Sequence, residues 1–339
     1  MVLPAIQWHN PAMRTLLLAA ALLAAPAAAQ EPDRRSPNEI VTGAPQSEWV
    51  AIAPADLLVM TLAPDAKGKP RQVVIQLMPP PFSQGWVENI RMLAKARWYD
   101  GLSINRVQDN YVVQWGDPDG EDAAKAKKLP AGLRVMGESD YFPDVWREQV
   151  IAGSVESFFR QDIALNEKRS GEPIGDPYAN PGVTGWLLGF PIALTEIANP
   201  SAWPVHCYGM LGVGRGMPPD TGSGAELYTV IGHAPRHLDR NIALVGRVVE
   251  GIEHLSSLPR GTGDLGFYET AEERVPIRSI RLASDLPQAE QPQFQYLSTE
   301  SQTFAAYAEA RANRRDPFFI RPAGGADICN IPVPVRRIK

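Results

Sequence analysis

The chain has 339 residues, 44% of them hydrophobic and 21% charged, with a formal net charge of −5. That balance supplies a folded core and carries no basic excess to attract nucleic acid or an anionic membrane surface. Its 32 prolines, nearly twice the ordinary share of about 5%, argue against a helical bundle and for strands, turns and long loops.

Residues 1–29 have the layout of a secretory signal peptide. Met13-Arg14 begins a short positive region, and residues 15–25 are a Leu/Ala run too short for a retained membrane anchor. Ala27-Ala28-Ala29 offers small residues for cleavage before Gln30. Residues 1–12 read as an upstream extension, and an Ala-rich buried helix is the alternative for the run itself. The expectation is an exported chain, periplasmic or secreted, with no membrane anchor after cleavage. Cleavage removes one basic residue, Arg14, and no acidic one, so the charge moves from −5 to −6. Cys207 and Cys329 are the only cysteines. In an exported protein an even pair reads as a disulfide, two unrelated buried thiols being the alternative.

Residues 30–48 are polar and rich in Pro and charge, which predicts a flexible leader. Residues 50–52, 57–62 and 72–77 read as short strands, the first two separated by Pro54, and Pro79-Pro80-Pro81 ends the third. Trp86, Ile90, Leu93 and Ala94 recur at helical spacing with Asn89, Arg91 and Lys95 on the other side, predicting a helix from about residue 82 to 96. Four pieces follow with little room for slippage: Val87-Glu88-Asn89-Ile90, Tyr99-Asp100-Gly101, Asn105-Arg106-Val107 and Tyr111-Val112-Val113-Gln114-Trp115-Gly116-Asp117. In that order they resemble the V-E-N-F helix opening, the turn, the H-R-V strand and the F-M-I-Q-G-G-D strand of the cyclophilins, a family of peptidyl-prolyl cis-trans isomerases.

The resemblance lapses over an insertion of about residues 118–205. Residues 123–128 are charged and rich in Ala and Lys. Val145, Trp146, Val150, Val155, Phe158 and Phe159 suit amphipathic turns, and residues 171–185 are Pro/Gly-rich. So long a segment is seldom structureless in a compact domain, which predicts an insertion with a helix of its own. Resemblance resumes at residues 207–216, where the family has G-V-L-S-M-A-N-A-G, at residues 224–230 against G-S-Q-F-F-I-C, and at residues 238–251 against L-D-G-K-H-V-V-F-G-K-V-V-E-G. Residues 275–282 complete the strands. Residues 286–339 form a C-terminal extension outside the family pattern, helical over 303–312 and extended over 317–339. The family likeness implies a mainly β fold over residues 49–285: a closed antiparallel barrel of about eight strands capped by two helices.

It also implies the chemistry. Rotation about an Xaa-Pro bond meets a barrier of about 18–20 kcal/mol because the amide is conjugated. No bond breaks, so neither cofactor nor metal is required. The site must hold the proline ring in an apolar pocket and stabilise the twisted amide, whose nitrogen becomes pyramidal and basic. Arg106 takes the place of the family's donor to that nitrogen, and Gln114 would hold its guanidinium or bind substrate backbone. Tyr111, Val112, Tyr228 and Leu238 would line the proline pocket. Departures from the family pattern are Ile242 for its pocket His, His237 for its Trp, Gly214-Arg215 for its Ala-Asn pair, and Glu226 for its Gln. They leave two readings: an isomerase acting on proline-containing segments of unfolded or exported proteins, or a peptide-binding module on the same fold with weak or no catalysis. Three other motifs are set aside. Gly212-Val213-Gly214-Arg215-Gly216 imitates a dinucleotide loop, but Pro218-Pro219 follows where a helix would start. His233 and His237 have zinc-like spacing, but Pro235 lies between them. The basic end, residues 335–339, is too short to define a partner.

Overall fold

The computed structural model describes residues 34–141, 176, 178–179, 183–194 and 201–338. The signal-like stretch and the amphipathic positions of the insertion lie outside the described residues.

The segment expected to be a flexible leader is structured from Pro37 onward. Helix α1 (Pro37–Thr42) opens with a capping box: Ser36 Oγ accepts from Glu39 N–H, and the Glu39 carboxylate accepts from Ser36 N–H at 2.7 Å. The polar composition that suggests disorder therefore contains a helix-start signal, and Ile40 is buried. Strand β1 (Trp49–Ala51) follows. The sequence assigns it to the barrel, but the 3-10 turn Pro54–Asp56 separates it from the barrel's first strand, and it pairs elsewhere.

β2 (Leu57–Leu62) is an almost wholly buried, mainly apolar run, and β3 (Arg71–Leu77) is buried from Val73 onward. Helix α2 (Gln84–Lys95) covers the predicted range and buries Trp86, Val87, Ile90, Leu93 and Ala94, packing on two barrel strands. It ends where Arg97 turns left-handed: Arg97 N–H donates to Ala94 O and Trp98 N–H to Leu93 O. β4 (Ser103–Val107) and β5 (Val112–Gly116) come next. β6 (Val183–Leu187), β7 (Phe190–Leu194) and β8 (Ala202–Pro204) form a separate antiparallel sheet within the insertion. Residues 118–141 of the insertion are loops and turns closed by the 3-10 turn Glu138–Tyr141, and the positions expected to be helical, Val145 to Phe159, lie outside the described residues.

β9 (Met210–Val213), β10 (Leu227–Val230), β11 (Leu244–Glu250) and β12 (Val275–Leu282) complete the barrel, with the one-turn helix α3 (Glu253–Ser256) against β3. The closed order is β10-β5-β4-β12-β2-β3-β11-β9, antiparallel throughout. This is the eight-stranded closed barrel implied by the sequence. Closure leaves no strand edge unpaired.

The C-terminal extension folds back. β13 (Phe294–Leu297) pairs with β1 on one side and with β14 (Val335–Arg337) on the other, so both ends of the described chain share one sheet. Helix α4 (Gln302–Ala312) packs on α1. A disulfide joins Cys207 to Cys329 across 122 residues.

Candidate active site

A β-bulge aims the central arginine. Between β4 and β5 the register slips: Ile104 faces Trp115, whereas Arg106 faces Gln114. Asn105 is the extra residue, and bulges of this kind re-aim a neighbouring side chain. Asn105 is buried and locks the bulge, its Nδ2 donating to Gly116 O at 3.1 Å and its Oδ1 accepting from the Ser103 hydroxyl at 2.6 Å. Arg106 Nη1 then donates to Gln114 Oε1 at 3.0 Å, and Gln114 Nε2 donates to Glu226 Oε1 at 2.7 Å. Burial raises the Glu226 pKa above its usual value, against the opposing hydrogen bond from Gln114.

Apart from Tyr111, the groups that fix the rest of the Arg106 guanidinium lie outside the recognised motifs. Nε donates to Leu265 O at 2.7 Å and Nη2 to Gln108 Oε1, while the group lies over the rings of Tyr111 and Phe267, 5.6 and 5.3 Å from their centroids. The loop carrying Leu265 runs against β4, with Tyr268 N–H donating to Asn105 O. Gly266 permits this approach: its φ is +78°, and a Cβ there would come within 2.7 Å of Gln108 Cα. The spacing of Gly261, Gly263 and Gly266 is the one sequence signal for this tight loop. Burial lowers the Arg106 pKa from its ordinary value. A guanidinium has five N–H donors. One N–H on each of Nε, Nη1 and Nη2 is used within the protein, leaving two for another acceptor.

Beside it, Val112, Tyr228 and Val230 form a small apolar cluster separate from the main core, with Tyr111 and Ile242 packed against it. β5 and β10 pair Val112 with Val230 and Gln114 with Tyr228. Tyr228 lies opposite Gly212, where a Cβ would stand 2.2 Å from the phenol ring, so only glycine leaves room for it. From behind, the Tyr228 hydroxyl meets His206 Nε2 at 2.8 Å and His206 Nδ1 meets Asp239 at 2.8 Å. Arg236 holds Asp239 at 2.6 Å and Asp176 at 2.7 Å. Burial lowers the His206 pKa, and Arg236 offsets part of the Asp239 charge that would raise it. The neutral imidazole therefore donates from Nδ1 and accepts the Tyr228 hydroxyl proton at Nε2. His206 lies between the recognisable blocks, so nothing in the sequence linked it to Tyr228.

The remaining residues named from sequence sit around this cluster. His237 stacks on Tyr111 at 6.4 Å. Leu238 is half-buried on the turn Arg236–Leu238, its carbonyl accepting from Ile242 N–H, and it is not part of the apolar cluster. Arg215 reaches the same loop, donating from Nε and Nη2 to Asn241 O at 3.0 Å each. Gly214 donates its N–H to Glu226 O and leaves room for the Glu226 side chain. Among the described residues no group of His, Cys, Asp and Glu is arranged to hold a metal, and no helix is long and apolar enough to cross a membrane.

The closed eight-stranded barrel thus carries an arginine and a glutamine paired across adjacent strands, beside an apolar cluster that includes aromatic rings. The family model described as "Cyclophilin type peptidyl-prolyl cis-trans isomerase/CLD" matches residues 73–282, and the chain belongs to that family. Among solved structures, cyclophilin AquaCyp293 from Hirschia baltica is similar at 21% identity, covering 85% of this chain and 93% of that one with a TM-score of 0.60. A Cryptosporidium parvum cyclophilin type peptidyl-prolyl cis-trans isomerase, crystallised in the presence of the dipeptide ala-pro, is similar at 10% identity. It covers 66% of this chain and 98% of that one, with a TM-score of 0.36. No curated protein matches the chain.

Proposed function

We propose that the protein twists Xaa-Pro bonds in exported proteins, with Arg106 as the hydrogen-bond donor. The observation that carries this reading is the Arg106 guanidinium itself, tethered at all three nitrogens with two N–H groups left, next to a small apolar cluster. The proline ring would lie on Val112, Tyr228 and Ile242, against Tyr111. As the amide twists, its nitrogen lone pair is no longer conjugated and becomes an acceptor for one free N–H, while the other holds a substrate carbonyl. Because Gln114, Gln108 and the Leu265 carbonyl fix the guanidinium before substrate arrives, little reorganisation accompanies the rotation. Lowering the barrier by about 5–7 kcal/mol in this way corresponds to roughly 10⁴–10⁵-fold acceleration.

Two features support a place outside the cytoplasm, periplasmic or secreted: the signal-like residues 1–29, and a disulfide of the kind that persists in oxidising compartments. The clients would be proline-containing segments of newly exported chains.

The alternative is a proline-peptide-binding module with little catalysis. Arg215 favours it, because its guanidinium is tied to Asn241 O at the rim of the cluster and replaces a smaller family residue. A protease-coupled assay on short Xaa-Pro peptides separates the two. Acceleration well above the uncatalysed rate is the expected result. Peptide binding with no acceleration would replace the enzyme reading with the module.

A further inference from the structure

A charged group that the Arg106 site does not use lies buried on β11. Arg247 faces Gln76 and Met210 in the barrel and is only 8% exposed. The inserted sheet and the C-terminal sheet cover it, so that its guanidinium lies 4.8 Å from the Phe190 ring centroid and 5.8 Å from that of Tyr296. Its Nε donates to Gln76 Oε1 at 3.0 Å. Nη2 is buried with no hydrogen-bond partner, and no carboxylate among the described residues forms an ion pair with the group. Burial lowers its pKa to about 10, so it is still a cation at neutral pH. A buried cation lacking a counter-ion is costly in a folded protein.

Arg247 also forms part of the wall of a cavity of about 460 Å³ between the barrel and the C-terminal extension. That size falls within the usual range for small-molecule sites, about 300–1,000 Å³. The other walls are mainly apolar, including Trp186, Met210 and Val333, with the Cys207–Cys329 disulfide on one side. Arg311 is the second cation of the lining, and no acidic residue contributes to it.

We propose that this cavity is a binding site for a carboxylate carried on an apolar stem. A carboxylate oxygen entering the cavity would accept from the guanidinium, and a turn of the fork that frees the enclosed Nη2 would let the second oxygen pair as well, the bidentate arrangement such groups commonly make. The apolar walls would take the stem, and a single negative charge would give Arg247 the counter-ion it lacks. A free organic acid and the C-terminal carboxylate of a peptide share this chemistry. None of the residues lining the cavity belongs to the Arg106 site, and failure of this proposal would leave the isomerase reading untouched.

The test is calorimetric titration of the full oxidised protein with 4-phenylbutyrate and with an acetylated tripeptide ending in leucine, each beside its own amide. The acid is expected to bind and its amide not to, and the probe that binds better identifies the source of the carboxylate. Arg247→Met should weaken acid binding about tenfold or more, and without ligand it should melt no lower than wild type, because an unpaired buried charge has been removed. Arg247→Lys, which keeps the charge but not the fork, serves if the Met variant fails to fold, and should also bind the acid more weakly. Equal binding of acid and amide, no binding of either acid, or unchanged affinity in the variant that folds would each overturn the proposal.

Discussion

Glu226 shows how much one substitution in a family pattern can alter. Where the family carries an amide, this chain places a carboxylate that accepts from Gln114 and, through it, steadies Arg106. Burial raises its pKa, so it gains a proton at a higher pH than a free carboxylate does. Ionised Glu226 is the acceptor in this chain of bonds, so isomerase activity should fall as the pH drops through that raised pKa. Glu226→Gln should keep most of the activity and lose this acid limb in a pH–rate profile. The same variant should be the more stable one at neutral pH, because a raised folded pKa means that ionisation costs folding free energy above it. An acid limb unchanged in Glu226→Gln would remove Glu226 from the account. The eight-residue spacing of Arg106 and Gln114 made their pairing legible. The Leu265 carbonyl was not legible, because a backbone acceptor leaves no side-chain signature, and Gln108 was overlooked because a glutamine in a loop is ordinarily solvated.

At the scale of elements, hydrophobic runs placed β2 and β3 and helical spacing placed α2, while β4, β5 and β9–β11 were legible through the family motifs they carry. Two assignments failed for one reason: partners distant in sequence decided them. β1 has the composition of a barrel strand but pairs with β13, and the supposed leader docks α1 on α4. The β6–β7 turn shows how closely these additions are fitted. Leu188 and Gly189 both have positive φ, as a tight hairpin requires, and a Cβ on Gly189 would stand 2.7 Å from the Tyr296 ring. Gly189→Ala should therefore cost about 1–3 kcal/mol in denaturant unfolding, from backbone strain and displacement of Tyr296. A cost near zero would mean that the inserted sheet and β13 are not held against each other as described.

Over the whole molecule, the insertion and the C-terminal extension converge on the face of the barrel that carries β9 and β11, and the Cys207–Cys329 bridge joins the extension to the chain leading into β9. Cysteine count and the expectation of export made this bridge legible, but not the surfaces it draws together. Closing a loop of 122 residues is worth about 4–5 kcal/mol by chain entropy. Cys329→Ser should therefore lower the unfolding free energy by several kcal/mol, with native relaxation reducing the figure. Equal stability of the oxidised and serine-substituted proteins would show that the extension is held without the bridge.

The central claim is that Arg106 donates to the twisting amide, and the most direct measurement of it is kcat/KM of Arg106→Ala on several Xaa-Pro peptides, with Tm recorded alongside. Arg106 is partly exposed and outside the hydrophobic core, so its loss should remove most of the activity, about 10²-fold or more, with Tm nearly unchanged. Arg106→Lys should recover only part, because an ammonium cannot meet two acceptors with the geometry of the planar fork. Equal rates for wild type and Arg106→Ala, in a variant shown to be folded, would contradict the account.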